Sequence, residues 1–190
     1  FDAFDDPRTR TISLQWATRL GKTFGAHVCL LKTAATDPAP MMFASSVEGL
    51  AKEGISRLYA ACHQRTALKS LLVKNEREQK QDLIEFRGCK LYGAWSRSVS
   101  TLADKNIKVG HAGEYDKWEQ QSTSKEAHPH KLFDDRMKDF QAVRKAIYEG
   151  TPTVKGRSPI ERKRISGTNC QYHVPCPHCK KYQSLEFGKN

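Results

Sequence analysis

The chain lacks any apolar run approaching the roughly 20 residues that a membrane-spanning helix needs, which sets a helical membrane protein aside. It has no secretory start either: Phe1-Asp2-Ala3-Phe4-Asp5-Asp6 is acidic and poor in apolar residues. There is no initiator Met, so Phe1 reads as an internal cut, and no internal repeat is found. A secreted disulfide framework is missing as well. Of six cysteines, Cys29, Cys62 and Cys89 are scattered, while Cys170, Cys176 and Cys179 gather near the end. That distribution fits a reducing compartment and a metal knuckle. Acid is in short supply: 21 Asp and Glu stand against 32 Lys and Arg, a formal net charge of +11. Such a surplus points to a polyanionic partner, nucleic acid first.

The 190 residues present suffice for one α/β domain with a proper core. Thr11-Ile12-Ser13-Leu14-Gln15 reads as a short buried strand and Gly21 to Leu31 as a helix. Asp37-Pro38-Ala39-Pro40 is a break before a second apolar strand at Met41-Met42-Phe43-Ala44. Ser45-Ser46-Val47-Glu48 has capping-box spacing, and Val47, Leu50, Ala51, Ile55 and Leu58 follow at helical intervals. Lys74 to Asp82 is a charged, solvated stretch, and Leu83 to Tyr92 a hairpin around Arg87-Gly88. Ile107-Lys108-Val109 begins a strand, Lys131 to Phe140 a helix, and Ala146-Ile147-Tyr148 a further strand ending at Gly150-Thr151-Pro152. From Gln171 to Phe187 the pattern is strand, knuckle, strand. Strands alternating with helices predict a mainly parallel sheet flanked by helices on both faces.

Three segments carry chemistry. Trp16-Ala17-Thr18-Arg19-Leu20-Gly21-Lys22-Thr23 lies between a strand and a helix, where a loop presents free N–H groups and a positive dipole end to phosphate oxygens. Lys22 suits the β- and γ-phosphates of a nucleotide, and the Thr23 hydroxyl suits Mg²⁺. Trp16 stands where such a loop usually has its first Gly; a bare Gly-Lys-Thr is equally an ordinary loop. A nucleotide motor also needs carboxylates at the end of a buried strand, and Glu114 and Asp116 are the candidates; read alone, Glu114 to Lys117 is a surface turn. Cys176-Pro177-His178-Cys179 supplies two of the four ligands of a tetrahedral Zn²⁺. Cys170 and His173 offer a cramped local completion.

In order along the chain, these segments resemble the terminase large subunits of the lambda-like GpA family. The likeness includes the phosphate loop without its first Gly, the stretch Asp6-Pro7-Arg8-Thr9-Arg10 before it, and Asp37-Pro38-Ala39-Pro40 after it. It continues through Gly93-Ala94-Trp95-Ser96, the approach from Ser122 to Phe140, and Thr151-Pro152-Thr153. Lys155-Gly156 with Ile160-Glu161-Arg162 and Val174-Pro175-Cys176-Pro177-His178-Cys179 complete it. The resemblance implies a P-loop NTPase fold of the ASCE type over residues 1–168. Residues 169–190 are then the start of a zinc-ribbon-like linker to a nuclease domain beyond Asn190.

It further implies an ATP-driven motor that packages double-stranded DNA into a procapsid. Thr18, Arg19, Leu20, Gly21, Lys22 and Thr23 cradle ATP, with Asp116 beside the metal. Glu114 activates water, Arg19 serves as a charge-stabilising finger and Thr151 senses the γ-phosphate. The implied cofactors are ATP and Mg²⁺, with Zn²⁺ at Cys176 and Cys179. The implied partners are double-stranded DNA, a portal protein, a small terminase subunit and further copies of the chain. The implied place is the bacterial host cytoplasm, at the procapsid portal.

Two positions depart from the family pattern. Gly113 falls where the Mg²⁺-associated Asp belongs, and Gly150 replaces a Ser. They motivate an alternative, a decayed prophage protein that binds nucleotide or DNA without turnover. A helicase-like P-loop ATPase is a further reading, against which the knuckle counts. Between Lys155 and Arg164, five basic residues face one acid, a cluster suited to DNA phosphates or to a solvated helix face.

Overall fold

The computed structural model of the chain describes residues 1–73, 81–119, 127–171 and 173–184. The charged stretch expected from Lys74 falls mostly outside the described residues, as do the start of the approach from Ser122, Tyr172 and the tail beyond Ser184.

Eight strands are described: β1 (Thr11–Gln15), β2 (Met41–Ser45), β3 (Leu83–Phe86), β4 (Cys89–Trp95), β5 (Val109–Ala112), β6 (Lys145–Gly150), β7 (His173–Pro175) and β8 (Tyr182–Ser184). The described helices are α1 (Asp2–Asp5), α2 (Lys22–Thr36), α3 (Glu48–His63), α4 (Thr66–Lys69), α5 (Val99–Ala103), α6 (Pro129–Asp135) and α7 (Pro159–Ile165). Six strands form one sheet in the order β1-β6-β5-β2-β4-β3, parallel throughout except for the β3–β4 hairpin. The last two strands form a separate antiparallel pair.

Alternation along the parallel strands divides the core. Met41, Phe43, Val109 and Ile147 face a cluster with Ala26 and Leu30 of α2 and Ile55 and Leu58 of α3. Met42, Ala44, Ala112 and Tyr148 face the opposite cluster, with Leu102, Leu132, Phe133 and Ile160. Strands buried on both faces read as nearly continuous apolar runs, and β2, apolar up to Ser45, is buried at all five positions. This three-layer arrangement is the expected one.

Several local expectations shift. The capping box at Ser45 does not form: α3 starts after Val47 with no side-chain cap, and Ser46 turns to Glu114 instead. Val47 and Leu50, both expected on the buried stripe, are 38% exposed; the buried stripe is Ala51, Gly54, Ile55, Leu58 and Cys62. The helix expected from Lys131 to Phe140 breaks after Asp135, and a separate single 3₁₀ turn covers Lys138–Phe140. The break lets the Arg136 carbonyl accept the Ile107 N–H at 2.9 Å and its guanidinium bond the Ala103 carbonyl, contacts a straight helix would lose.

Two consequences position the site. β6 lies between β1, which feeds the phosphate loop, and β5, which carries the acidic stretch. The parallel strands all end at the same sheet edge, where open α/β sheets bind ligands.

Candidate active site

β1 stops at Gln15 and α2 begins at Lys22, so residues 16–21 form a loop, exposed at every position. Two of its residues take left-handed backbone, Arg19 (φ 64°) and Gly21 (φ 77°). Trp16 is not among the residues of positive φ, so the loop closes without a glycine there. The helical ladder opens with Gly25 N–H to the Gly21 carbonyl at 2.9 Å. The amides of Lys22, Thr23 and Phe24 therefore sit at the free start of a 15-residue helix, its positive end. The Lys22 ammonium donates to the Ala17 carbonyl at 3.5 Å. The Thr151 hydroxyl donates to the Trp16 carbonyl at 3.4 Å, tying the end of β6 to the loop.

Beneath the loop lies a carboxylate that the sequence reading did not single out. Glu149 of β6 is 2% exposed and accepts the Thr23 hydroxyl on both oxygens, at 2.7 and 2.9 Å. His111 of β5, fully buried, brings its Nε2 to 3.3 Å from Glu149 Oε1. Burial pushes the Glu149 carboxyl up, but His111, the Thr23 hydroxyl and the Lys22 ammonium outweigh it and hold the group below the ordinary carboxylate range. It is an ionised carboxylate under the phosphate loop. His27, one turn after Thr23, packs edge-on against Phe43 and His111, and burial lowers its pKa to about 3. A carboxylate directly before Gly150-Thr151-Pro152, after the run Ala146-Ile147-Tyr148, was the available signal. A carboxylate inside a buried strand has to be paired.

Gly113 explains how Glu149 fits. Ala112 is in register with Tyr148, so Gly113 comes level with Glu149 on the neighbouring strand. A Cβ at Gly113 would lie 3.2 Å from Phe43 Cε2 and 3.3 Å from Glu149 Oε1. The space a side chain would enter there is bounded by the Glu149 carboxylate.

Glu114 follows, in left-handed backbone (φ 50°). A non-glycine residue there stores strain of about 1–3 kcal/mol, a cost that surrounding contacts must offset. Its Oε2 accepts the Ser46 hydroxyl at 3.0 Å and its Oε1 the Lys117 ammonium at 2.9 Å. Ser96 in turn donates its hydroxyl to the Ser46 carbonyl at 2.8 Å, so the ends of β2 and β4 hold Glu114. Asp116 is turned elsewhere. Its Oδ2 accepts the Thr153 N–H (2.9 Å) and hydroxyl (3.3 Å), and its Oδ1 the Ile160 N–H (2.8 Å). The structure thus gathers Lys22, Thr23, Glu114 and Thr151 around one sheet edge, and places the Asp116 carboxylate on the segment that follows β6.

The family described as phage terminase large subunit gpA, ATPase domain, matches residues 1–189. The chain belongs to that family. Its fold is similar to the large terminase ATPase domain of Thermus phage P74-26, determined as a single-residue variant, with a TM-score of 0.60 and 12% sequence identity over 93% of this chain and 72% of that one. No match is found among curated proteins.

As a terminase large-subunit ATPase domain, the chain has the P-loop NTPase fold and belongs to a viral DNA-packaging motor. No described helix is long and apolar enough to cross a membrane. Other expected terminase features are placed as follows. In the basic segment, Lys155 and Arg157 are exposed. Lys163 instead pairs with Asp134 at 3.1 Å and lies over the Tyr148 ring, while Arg164 bonds Gln15 and Asn169. At the knuckle, the backbone N–H groups of Cys179 and His178 and the Cys179 side chain lower the Cys176 thiol pKa. Among the described residues no three His, Cys, Asp or Glu side chains come close enough to hold a metal, so Cys170 and His173 do not complete a set with Cys176 and Cys179.

Proposed function

We propose that this chain binds ATP with Mg²⁺ at the β1–α2 loop and hydrolyses it to drive double-stranded DNA. The observation that carries the reading is the open helix start at Lys22–Phe24, flanked by an ionised carboxylate on one strand and by Glu114 on the next. Residues Thr18 to Thr23 wrap the phosphates, with the Lys22 ammonium on the β- and γ-phosphoryl oxygens. Thr23 and Glu149 offer only oxygen donors, which suits Mg²⁺. Bound there, the ion would neutralise charge building on the β- and γ-oxygens. Glu114, fixed by Ser46 and Lys117, orients the attacking water and draws its proton. Arg19, at the exposed tip of the loop, adds positive charge as the γ-phosphoryl group leaves.

Thr151 carries the state of the γ-phosphate into β6 through its bond to the loop. Asp116 then links β5 to Thr153 and Ile160, and so to α7. In this reading Asp116 couples rather than coordinates. The exposed Lys155 and Arg157 grip the DNA backbone without reading its sequence. Residues 1–168 form the motor, and residues 169–190 begin a zinc-binding linker in which Cys176 and Cys179 are half a site. A portal protein, a small terminase subunit and further copies of the chain complete the machine in the host cytoplasm.

Phosphate release measured with and without double-stranded DNA tests the reading. Mg²⁺-dependent hydrolysis that rises with DNA, and is weakened by a Lys155→Glu, Arg157→Glu pair only in its DNA-dependent part, supports it. Hydrolysis indifferent to DNA and to that pair contradicts the motor assignment.

A further inference from the structure

The family pattern places an Asp at the end of the β5 strand, and this chain has Gly113. We propose that Glu149 has taken over that role from the adjacent strand, so that the carboxylate governing Thr23 and the cation is supplied by β6 instead of β5. The inference rests on the nucleotide-site reading above and makes this copy a rewired site, not a disabled one.

Three observations meet at one point. The last paired residues of β5 and β6 are Ala112 and Tyr148, and Gly113 and Glu149 are the next residue of each chain segment. A Cβ on Gly113 would come within 3.3 Å of Glu149 Oε1 and 3.2 Å of Phe43, so Glu149 borders the room that an Asp at 113 would occupy. Lastly, both Glu149 oxygens accept the Thr23 hydroxyl. A hydroxyl whose proton is held by a carboxylate turns its lone pairs outward, the arrangement a hard cation requires of it. A Glu is longer than an Asp by one methylene, which suits a carboxylate that must reach the loop from one strand further over. His111 Nε2, 3.3 Å from Glu149 Oε1, is a further polar neighbour of the buried carboxylate.

The exchange also explains why Gly113 is small. With Glu149 in place, an Asp at 113 puts two carboxylates in near contact in a buried site, where like charges cannot both stay ionised at ordinary cost. Gly113→Asp alone therefore harms this chain instead of repairing it, whereas Gly113→Asp combined with Glu149→Gln returns the charge to β5.

The test reads cation binding directly. Mn²⁺ is titrated into the chain with a non-hydrolysable ATP analogue and followed by electron paramagnetic resonance; analogue binding in EDTA is measured in parallel, and circular dichroism confirms folding. Glu149→Gln is expected to weaken Mn²⁺ binding about 10–100-fold and to weaken EDTA binding of the analogue far less. The double variant is expected to regain at least part of that loss. Unchanged Mn²⁺ affinity in Glu149→Gln overturns the proposal. So does a folded double variant as weak as Glu149→Gln, because the loss then came from disturbing β6 and not from moving a charge. A wild-type chain that binds no analogue in either condition, like Lys22→Ala, overturns the nucleotide-site reading and this inference with it.

Discussion

Thr23 and Glu149 stand 126 residues apart in the chain, yet the Thr23 hydroxyl lies 2.7 and 2.9 Å from the two oxygens of the Glu149 carboxylate. The contact joins the first turn of α2 to the end of β6, the strand inserted between the phosphate-loop strand and β5. Through it the loop is tied to the strand that continues into Thr151, Pro152 and Thr153. Packing a charged group under the loop is costly unless it is paired. Here the pairing is with residues that the proposed chemistry uses, so stability and function are met by the same contacts.

Asp116 accepts three hydrogen bonds from Thr153 and Ile160. Bonds to a charged acceptor are worth about 1.5–3 kcal/mol each, and they are not additive. Asp116→Ala is expected to lower the melting temperature and to speed amide exchange across residues 151–160. Its effect on Mg²⁺-nucleotide affinity should be smaller than that of Glu149→Gln. Hydrogen exchange read by mass spectrometry, alongside a nucleotide titration, separates the two; strong loss of Mg²⁺-nucleotide affinity with unchanged exchange would return Asp116 to the metal.

His27 has its pKa lowered from 6.5 to about 3, chiefly by burial and then by His111. The folded chain thus holds it neutral where the unfolded chain protonates it. Stability is complete above pH 6.5 and falls as pH drops from 6.5 toward 3, because the unfolded state then binds more protons. His130, lowered to about 4 mainly by burial, adds to the same slope. Between pH 6.5 and about 5 most carboxylates remain ionised, so the loss in that window is assigned to these histidines. Melting temperatures of wild type and His27→Leu across it should show a shallower slope in the variant. Equal slopes would mean that His27 is not buried neutral.

Gly54 sits on the buried face of α3, where a Cβ would lie 2.1 Å from Phe43 Cε1. Alanine is the better helix former by about 1 kcal/mol, but overpacking a core costs about 1–3 kcal/mol. Phe43 also packs against the His27 and His111 rings and has little room to move. Gly54→Ala is expected to destabilise on balance, measured by urea denaturation; a gain in stability would show that the ring relaxes freely.

How much of this was legible in the sequence differs from element to element. β2, the β3–β4 hairpin and β6 were legible because buried strands are short apolar runs bounded by Pro, Gly or Asp; β1 forms where expected but is half-buried, not the buried strand the sequence suggested. The phosphate loop was legible because Gly21-Lys22-Thr23 lies between such a strand and a helix. The end of α6 was not, since tertiary contacts of Arg136 broke a pattern that periodicity alone would continue. The start of α3 was misjudged because Ser45, the cap that the spacing offered, is the last residue of β2, and α3 opens only after Val47 without a side-chain cap. Glu149 was hidden for a related reason: its meaning depends on the strand order, which sets it beside Gly113 and below Thr23. Local sequence reports neither neighbour. Asp116 shows the converse, a residue of the right type near the right strand whose carboxylate the fold turns to Thr153 and Ile160.

The central claim, that this chain hydrolyses ATP at the β1–α2 loop, is tested most directly by phosphate release with Mg²⁺ for wild type, Lys22→Ala and Glu114→Gln side by side with analogue binding. The account predicts turnover in wild type, loss of binding and turnover together in Lys22→Ala, and retained binding with turnover lowered by about 100-fold or more in Glu114→Gln. Turnover in Lys22→Ala equal to wild type, or a Glu114→Gln chain as fast as wild type, would contradict it.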